Sequence, residues 1–391
     1  MSMSIEHSVD VEEAVRRRYS GGAKAVEPGL CCPSSTYEER YLAVIPREII
    51  EKDYGCGDPT AYCEEGQTVL DLGSGGGKAC YIMSQRVGPK GRVIGVDMND
   101  DMLSLARKYK DEITAKIGYD NVEFRKARIQ DLSLDVQRLD TWLAGHPVTS
   151  SADLTALEVF THEISTASPL IADDSVDLIV SNCVLNLVRP EHKAKLFTEM
   201  FRVLRNGGRA VISDIVSDEV VPETLQQDGE LWSGCISGAY REDLFLKAFE
   251  DAGFHAVEVL KFDTQLWQTV EGIEFRSMTV SAYKGKQGPC LEHNQAVMYK
   301  GPFSAVHDDD NHSYPRGVRV AVCEKTFSLL RSGTYRDSFV FIEPREPVDP
   351  KAAKPFDCRR TAIRSARETK GDDYTATTEA AESCCGPDGC C

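Results

Sequence analysis

The chain is predicted to fold as α/β, around a doubly wound sheet of mainly parallel strands, and three observations carry that prediction. Apolar runs of strand length alternate with stretches of helical spacing between residues 67 and 216. The first run, Thr68, Val69 and Leu70, passes into DLGSGGGKACY, residues 71–81, which reads as strand end, tight glycine loop and helix. The next run, RVIGVDM, ends in Asp97, and an acid about 20 positions beyond such glycines is placed for ribose hydroxyls.

The elements follow in order. Asp10 and Glu13 mark a helix start, with Val11, Ala14, Val15 and Tyr19 on one face, and Gly21 and Gly22 are expected to end that helix. A turn-rich segment carrying Cys31 and Cys32 leads to a helix in YLAVIPREIIEKDYG and to the loop DYGCGDPT, which holds Tyr54 and Cys56. Residues 1–66 are too short for their own core and are read as a cap over the glycine loop. Within the 67–216 core the strands are expected at 68–74, 92–98 and 122–129, in SVDLIVSNCVLNLV and in GGRAVISDI. A long helix is expected from Asn99, with Met102, Leu105, Ala106, Tyr109, Ile113 and Ile117 at helical spacing. Another opens at Pro190 and stops at Gly207. Residues 131–170 exceed what this fold requires and read as a surface insertion without chemistry.

Ligands of such sheets bind beyond the carboxyl ends of the strands. Asp71, whose carboxylate is placed to meet a cation, is thereby brought to one rim with Asp97 and Cys183. Residues 217–283 hold Cys235 between Trp232 and Tyr240, then a helix with Leu244, Ala248 and Phe249 and strands in VEVLKFDT and FRSMTVSAYKG that complete the core. A small α+β domain is expected over 284–365, with QAVMYKGP and RVAVCEKTF as strands. Residues 366–391 have almost no large aliphatic side chain and are expected to be disordered.

Composition narrows the function classes. The net charge of −17 over 391 residues argues against nucleic acid or an anionic membrane as partner, since both need a basic face. No apolar run approaches the ~20 residues of a membrane span, and the amino end lacks the apolar core of a signal peptide. A cytoplasmic monomer is expected. Fourteen cysteines are many for that compartment. They form no C-x-x-C pair, so neither a disulfide framework nor a zinc finger accounts for them.

The glycine loop fits NAD or S-adenosylmethionine. The dinucleotide pattern needs its third glycine at position 78, which is Lys78, whereas G-x-G-x-G is complete. DLGSGGG, VDM and LRNGG together resemble the class I methyltransferases, which have a Rossmann-like sheet. The resemblance implies S-adenosylmethionine, with Asp97 on the ribose, Met98 near adenine, and Gly73, Ser74, Gly75 and Gly77 along the methionine moiety. Arg128, Ile129, Ser181 and Asn182 would lie near the cofactor from neighbouring strand ends.

An oxygen or nitrogen nucleophile usually needs a base for methyl transfer. No His or acidic pair at the expected rim fills that role, and cysteines stand there instead: Cys56, Cys183 and Cys235. A single cysteine is most often a small buried hydrophobe, but three converging thiols suit a soft, thiophilic centre. Zinc would satisfy them. So would trivalent arsenic, whose lone pair can accept a methyl group without proton abstraction. DYGCG, DLGSGGGKACY, SNCVLNLV and LWSGCISGA resemble the corresponding segments of arsenite methyltransferases, and CLEHNQAVMYKG and SFVFIEP resemble eukaryotic members.

That resemblance implies arsenite or its thiol conjugates as substrate, As(III) held by Cys56, Cys183 and Cys235, and mono-, di- and trimethylated products. One of Cys31 and Cys32 would be a fourth functional thiol engaged in disulfide exchange, with thioredoxin or glutathione as reductant. Tyr54 would lie against the methionine end of the cofactor. A methyltransferase for a small organic acceptor and a non-catalytic metalloid-binding protein are the competing readings. Cys63, Cys80, Cys290, Cys323 and Cys358 are read as structural, and the tail CCGPDGCC either gathers soft metals or is dispensable.

Overall fold

The computed structural model describes residues 11–30, 37–359 and 362–371. Cys31, Cys32 and the CCGPDGCC tail lie outside the described residues. The chain divides into two compact units between Gly285 and Lys286.

The first unit is built on one sheet. Its strands are β1 (Thr68–Leu72), β2 (Arg92–Asp97), β3 (Val122–Lys126), β4 (Val176–Asn182), β5 (Leu204–Ser217), β6 (Tyr240–Arg241), β7 (His255–Phe262), β8 (Gln268–Val270) and β9 (Ile273–Tyr283). The spatial order is β3-β2-β1-β4-β5-β9-β7, with β6 on β5 and β8 on β9. β1 to β5 run parallel, with Leu70 opposite both Ile94 and Ile179. β9 returns antiparallel between β5 and β7.

Both faces of the sheet are covered, so the central strands are apolar throughout. Leu70, Leu72, Val96 and Ile179 belong to one core and Val69, Val93, Leu178 and Val180 to the other, all fully buried. Each such side chain contributes about 1.5–3 kcal/mol of burial.

The helices of this unit are α1 (Val11–Lys24), α2 (Glu39–Leu42), α3 (Arg47–Glu51), α4 (Lys78–Val87), α5 (Asp100–Lys108), α6 (Lys110–Ile117), α7 (Val136–Gly145), α8 (Ser151–Ala167), α9 (Pro190–Val203), α10 (Glu223–Gln226), α11 (Gly229–Ser233) and α12 (Glu242–Asp251). Three expectations are corrected. Gly21 and Gly22 lie inside α1 and do not end it. Gly22 permits close packing, since a Cβ there would sit 2.9 Å from the Tyr54 ring. The long helix from Asn99 breaks at Tyr109 into α5 and α6. The helix opened at Pro190 ends at Val203, and Gly207, expected to stop it, lies inside β5. The 131–170 insertion consists largely of α7 and α8, the latter opened by a Ser150–Asp153 capping box.

The second unit contains β10 (Leu291–Glu292), β11 (Ala296–Tyr299), β12 (Ala305–His307), β13 (Ser313–Pro315), β14 (Val320–Ala321), β15 (Phe339–Ile342), β16 (Lys354–Pro355), α13 (Glu324–Arg331) and α14 (Ala366–Lys370). β11 pairs antiparallel with β14 and β15, and Val297, Tyr299, Tyr314, Phe327 and Phe339 share a core. RVAVCEKTF is strand only over Val320–Ala321, because Cys323 caps α13 and turns the chain into a helix. Residues 366–370 are helical where disorder is expected: Ser365 and Glu368 form a capping box and Thr369 is buried.

Candidate active site

A cavity of about 360 Å³ opens at the carboxyl ends of β1, β2 and β4. Its floor is the turn after β1, held because Gly73 and Ser74 donate backbone hydrogen bonds to the Val96 carbonyl at 2.8 and 3.0 Å. Gly73 and Gly75 have positive φ, and a Cβ on Gly73 would collide with Val184. Asp97 accepts from Gly75 N at 2.9 Å through Oδ2 and from Asn99 N at 2.8 Å through Oδ1. Burial raises its carboxyl above the ordinary range. Asp71 lines the same cavity. Burial pushes its pKa up to about 7, against the lowering effect of a 3.2 Å hydrogen bond from the Cys80 thiol. Asp53 and Asp97 add to the rise.

Tyr54, Asp71, Gly73, Ser74, Gly75, Asp97, Met98, Arg128, Ile129 and Asn182 all line the cavity. Gly77 and Ser181, expected with them, do not. A Cβ on Gly77 would sit 2.8 Å from Phe124, so this glycine serves the packing of α4 on the sheet. Ser181 is fully buried and donates to Leu72 O at 2.8 Å, tying β4 to β1. The expected cap over the glycine loop supplies lining residues that sequence reasoning does not single out: Tyr19 from α1, and Lys52 and Asp53 on the wall. Sequence reasoning also gives Lys78 no partner. Lys78 is buried and pairs with Asp53, and a buried lysine requires such an acid.

These residues fit an adenosyl cofactor bearing positive charge. Ser74 Oγ is buried without a hydrogen-bond partner among the described residues, at the floor of the cavity, and such a group is costly unless a ligand engages it. Asp97 keeps acceptor capacity beyond its two backbone bonds, and Asp71 supplies negative charge when ionised.

Of the three expected arsenic thiols, Cys183 lines the cavity, and Cys56 and Cys235 stand behind it. Cys183 is joined to Cys56 by a disulfide, with Cα atoms 5.8 Å apart. Cys235 donates its thiol to the Cys183 carbonyl at 3.3 Å. All three sit in one apolar cluster with Ile215, Ile236 and Phe275. Cys183 and Cys235 both have left-handed backbone, with φ of 60° and 62°, a conformation uncommon for residues other than glycine and enriched at functional sites. Of the three expected thiolates, Cys56 and Cys183 are in the disulfide form in this state. Reduction must precede any ligation through that pair.

The turns that present these cysteines are firmly held. Asn182 Oδ1 accepts from Cys56 N at 2.8 Å and Gly57 N at 3.0 Å, while its Nδ2 donates to Gly57 O at 2.8 Å. Asn186 Nδ2 donates to Ile215 O at 2.7 Å and Cys235 O at 3.3 Å. Asp214 accepts from Leu185 N at 2.9 Å, and burial carries its carboxyl up to about 6. Lys193, lowered to about 8 by burial, donates to Gly238 O in the loop after Cys235.

A parallel sheet of this order with a glycine turn, a ribose-placed acid and a cavity at the strand ends defines a class I methyltransferase. A methyltransferase domain model matches residues 63–165 and 149–253, and a domain of unknown function matches 286–374. The chain is 30% identical over 327 residues to the arsenite methyltransferase of Aquipseudomonas alcaligenes, covering 80% of this chain and 84% of that one. It is also 30% identical over 335 residues to the arsenite methyltransferase of Mus musculus, covering 83% and 78%. The structure of the arsenic(III) S-adenosylmethionine methyltransferase of Chlamydomonas reinhardtii superposes with a TM-score of 0.53 at 26% identity, over 85% of this chain and 100% of that one. The chain belongs to the arsenite methyltransferase family. Among the described residues no helix is long and apolar enough to cross a membrane.

Proposed function

We propose that the protein methylates arsenite from S-adenosylmethionine, with Cys56, Cys183 and Cys235 as the thiols that hold As(III). The observation that carries this reading is that Cys183, bonded to Cys56 and adjacent to Cys235, forms a wall of the cavity that fits the cofactor.

Asp97 and Met98 would hold the adenosine end, and Asp71, Tyr54 and the 73–75 turn the methionine end. The cofactor supplies a methyl group already activated on a sulfonium. The protein therefore need only position the acceptor and exclude water. With the disulfide reduced, thiolates bind As(III) and leave its lone pair open toward the cavity. The lone pair forms the As–C bond as the S–C bond breaks, and arsenic is formally oxidised by two electrons. Two thiolates return those electrons by closing to a disulfide, the state in which Cys56 and Cys183 stand here. Thioredoxin or glutathione then restores the thiols, and repetition gives mono-, di- and trimethylated arsenic. Exchange through Cys31 or Cys32 would pass the disulfide outward. This need for reduced thiols favours the cytoplasm.

The test is to incubate the purified protein with arsenite, S-adenosylmethionine and a thiol reductant and to separate the arsenic species. Methylarsenicals are expected. Their absence from folded protein that binds the cofactor would overturn the reading.

A further inference from the structure

The second unit gathers three more cysteines that residue spacing gives no reason to connect. Cys290, Cys323 and Cys358 have sulfur atoms within 4.8 Å of one another. The convergence is built by three elements. β10 and β16 pair antiparallel, Leu291 with Pro355, and Phe356 N donates to Cys290 O at 2.9 Å, so residues 290 and 358 flank one short ribbon. Cys323 is the cap of α13, where its sulfur accepts from Thr326 N at 3.4 Å. A thiolate there faces the positive end of the helix.

We propose that Cys290, Cys323 and Cys358 form a three-thiolate site for a trivalent, thiophilic metalloid such as As(III). The ligand count selects the ion class. No fourth Cys, His, Asp or Glu atom shares that spacing among the described residues, and a closed structural zinc site takes four ligands. His312 is nearby but committed. Its Nδ1 meets Asp308 Oδ2 at 2.8 Å and its Nε2 meets the Cys358 carbonyl at 2.9 Å. With both ring nitrogens engaged, the imidazole orients Cys358 instead of ligating.

The setting also places a cation beside the cluster. Lys325, one residue into α13, contributes positive charge to Cys290. Binding balances without redox change: three As–S bonds replace three As–O bonds, and the thiol protons leave with the oxygens as water. Nothing in this proposal depends on methyl transfer.

The test uses the full-length chain, reduced with a phosphine and incubated with arsenite alone. It is then alkylated with N-ethylmaleimide, and each cysteine peptide is quantified. Cys290 and Cys358 are half-exposed and should be protected by arsenite at least about tenfold. That protection should persist in a Cys56→Ser, Cys183→Ser, Cys235→Ser background. Cys358→Ser should lower arsenic retained through gel filtration by about one equivalent per chain. Equal labelling with and without arsenite overturns the proposal in the wild-type chain, whatever the variants do. So does zinc in the protein as isolated that Cys358→Ser removes.

Discussion

Each unit of the molecule assembles three cysteines, and the two assemblies differ in what they face. Cys56 comes from the loop between α3 and β1, Cys183 from the end of β4 and Cys235 from the turn after α11; the last two are in left-handed backbone, and Cys183 borders a cavity of about 360 Å³. Cys290, Cys323 and Cys358 come from a two-stranded ribbon and a helix cap. Cys323 and Cys358 border only a small pocket, shared with Tyr314, Val322 and Phe356. The ligands are alike and the surroundings are not. Thiolates beside an acid-lined cavity can present a bound arsenic to a methyl donor. Thiolates beside a small, largely apolar pocket can hold an ion but give a second reactant no room. Chemistry at a soft centre therefore depends on the free space on its open side as much as on its ligands.

The largest expected effect tests that division directly. Cys183→Ser should cut methylation by about 100-fold or more, equivalent to ~2.7 kcal/mol, because it removes both a proposed ligand and a disulfide partner. The same variant should leave arsenite protection of Cys290 unchanged. Product analysis and alkylation mass spectrometry read the two outcomes on one preparation. Intact methylation in Cys183→Ser would break the thiolate mechanism even if the activity itself were present.

A smaller effect belongs to the acids of the cavity. Asp71 sits at about 7 chiefly because it is buried, so below that pH the cofactor-free carboxyl is protonated. A cationic ligand favours the ionised form, and binding must then expel a proton. S-adenosylmethionine affinity should be flat above about pH 8 and fall about tenfold per unit below pH 7. Asp71→Asn should bind more weakly overall and lose that slope in calorimetric titrations. A slope retained in Asp71→Asn would assign it to another group. The raised carboxyl also favours the folded state at low pH. That contribution is present in full below the ordinary aspartate value and is lost as pH rises through about 7.

The contrast between the two assemblies is also a contrast in legibility. The parallel sheet can be read from sequence because each strand is a short apolar run with an informative end, such as Asp71 or Asp97. The rule that ligands gather at the carboxyl ends then brings Cys183 to the rim without knowledge of any contact. Cys290, Cys323 and Cys358 offer no such rule. Their convergence depends on a pairing of two-residue strands, β10 with β16, too short to leave a periodic pattern. Gly21 and Gly22 mislead for a related reason. Glycine usually ends helices, but Gly22 stays in α1 because Tyr54 packs against it and donates to its carbonyl at 3.0 Å. Tertiary packing overrides local preference where a large ring must approach the backbone. The Cys56–Cys183 bond is likewise invisible in sequence, since 127 positions separate its ends.

The smallest expected effect concerns how the third thiol of the cavity site is steered. Tyr19 on α1 brings its hydroxyl to 4.0 Å from Cys235 Sγ, and its ring meets Tyr54 edge-on at 6.1 Å. Burial raises the Tyr19 hydroxyl well above its ordinary value, with Cys235 adding to the rise, so Tyr19 acts as a neutral hydrogen-bonding group and never as a base near neutral pH. A hydroxyl–sulfur contact of that length is weak. Tyr19→Phe keeps the ring and should lower kcat by no more than about twofold, within the few tenths of a kcal/mol such a bond contributes. A tenfold loss of kcat with unchanged cofactor affinity would sharpen the comparison differently. It would mean that α1 positions Cys235 against the other two thiols, giving the cavity site a steering contact.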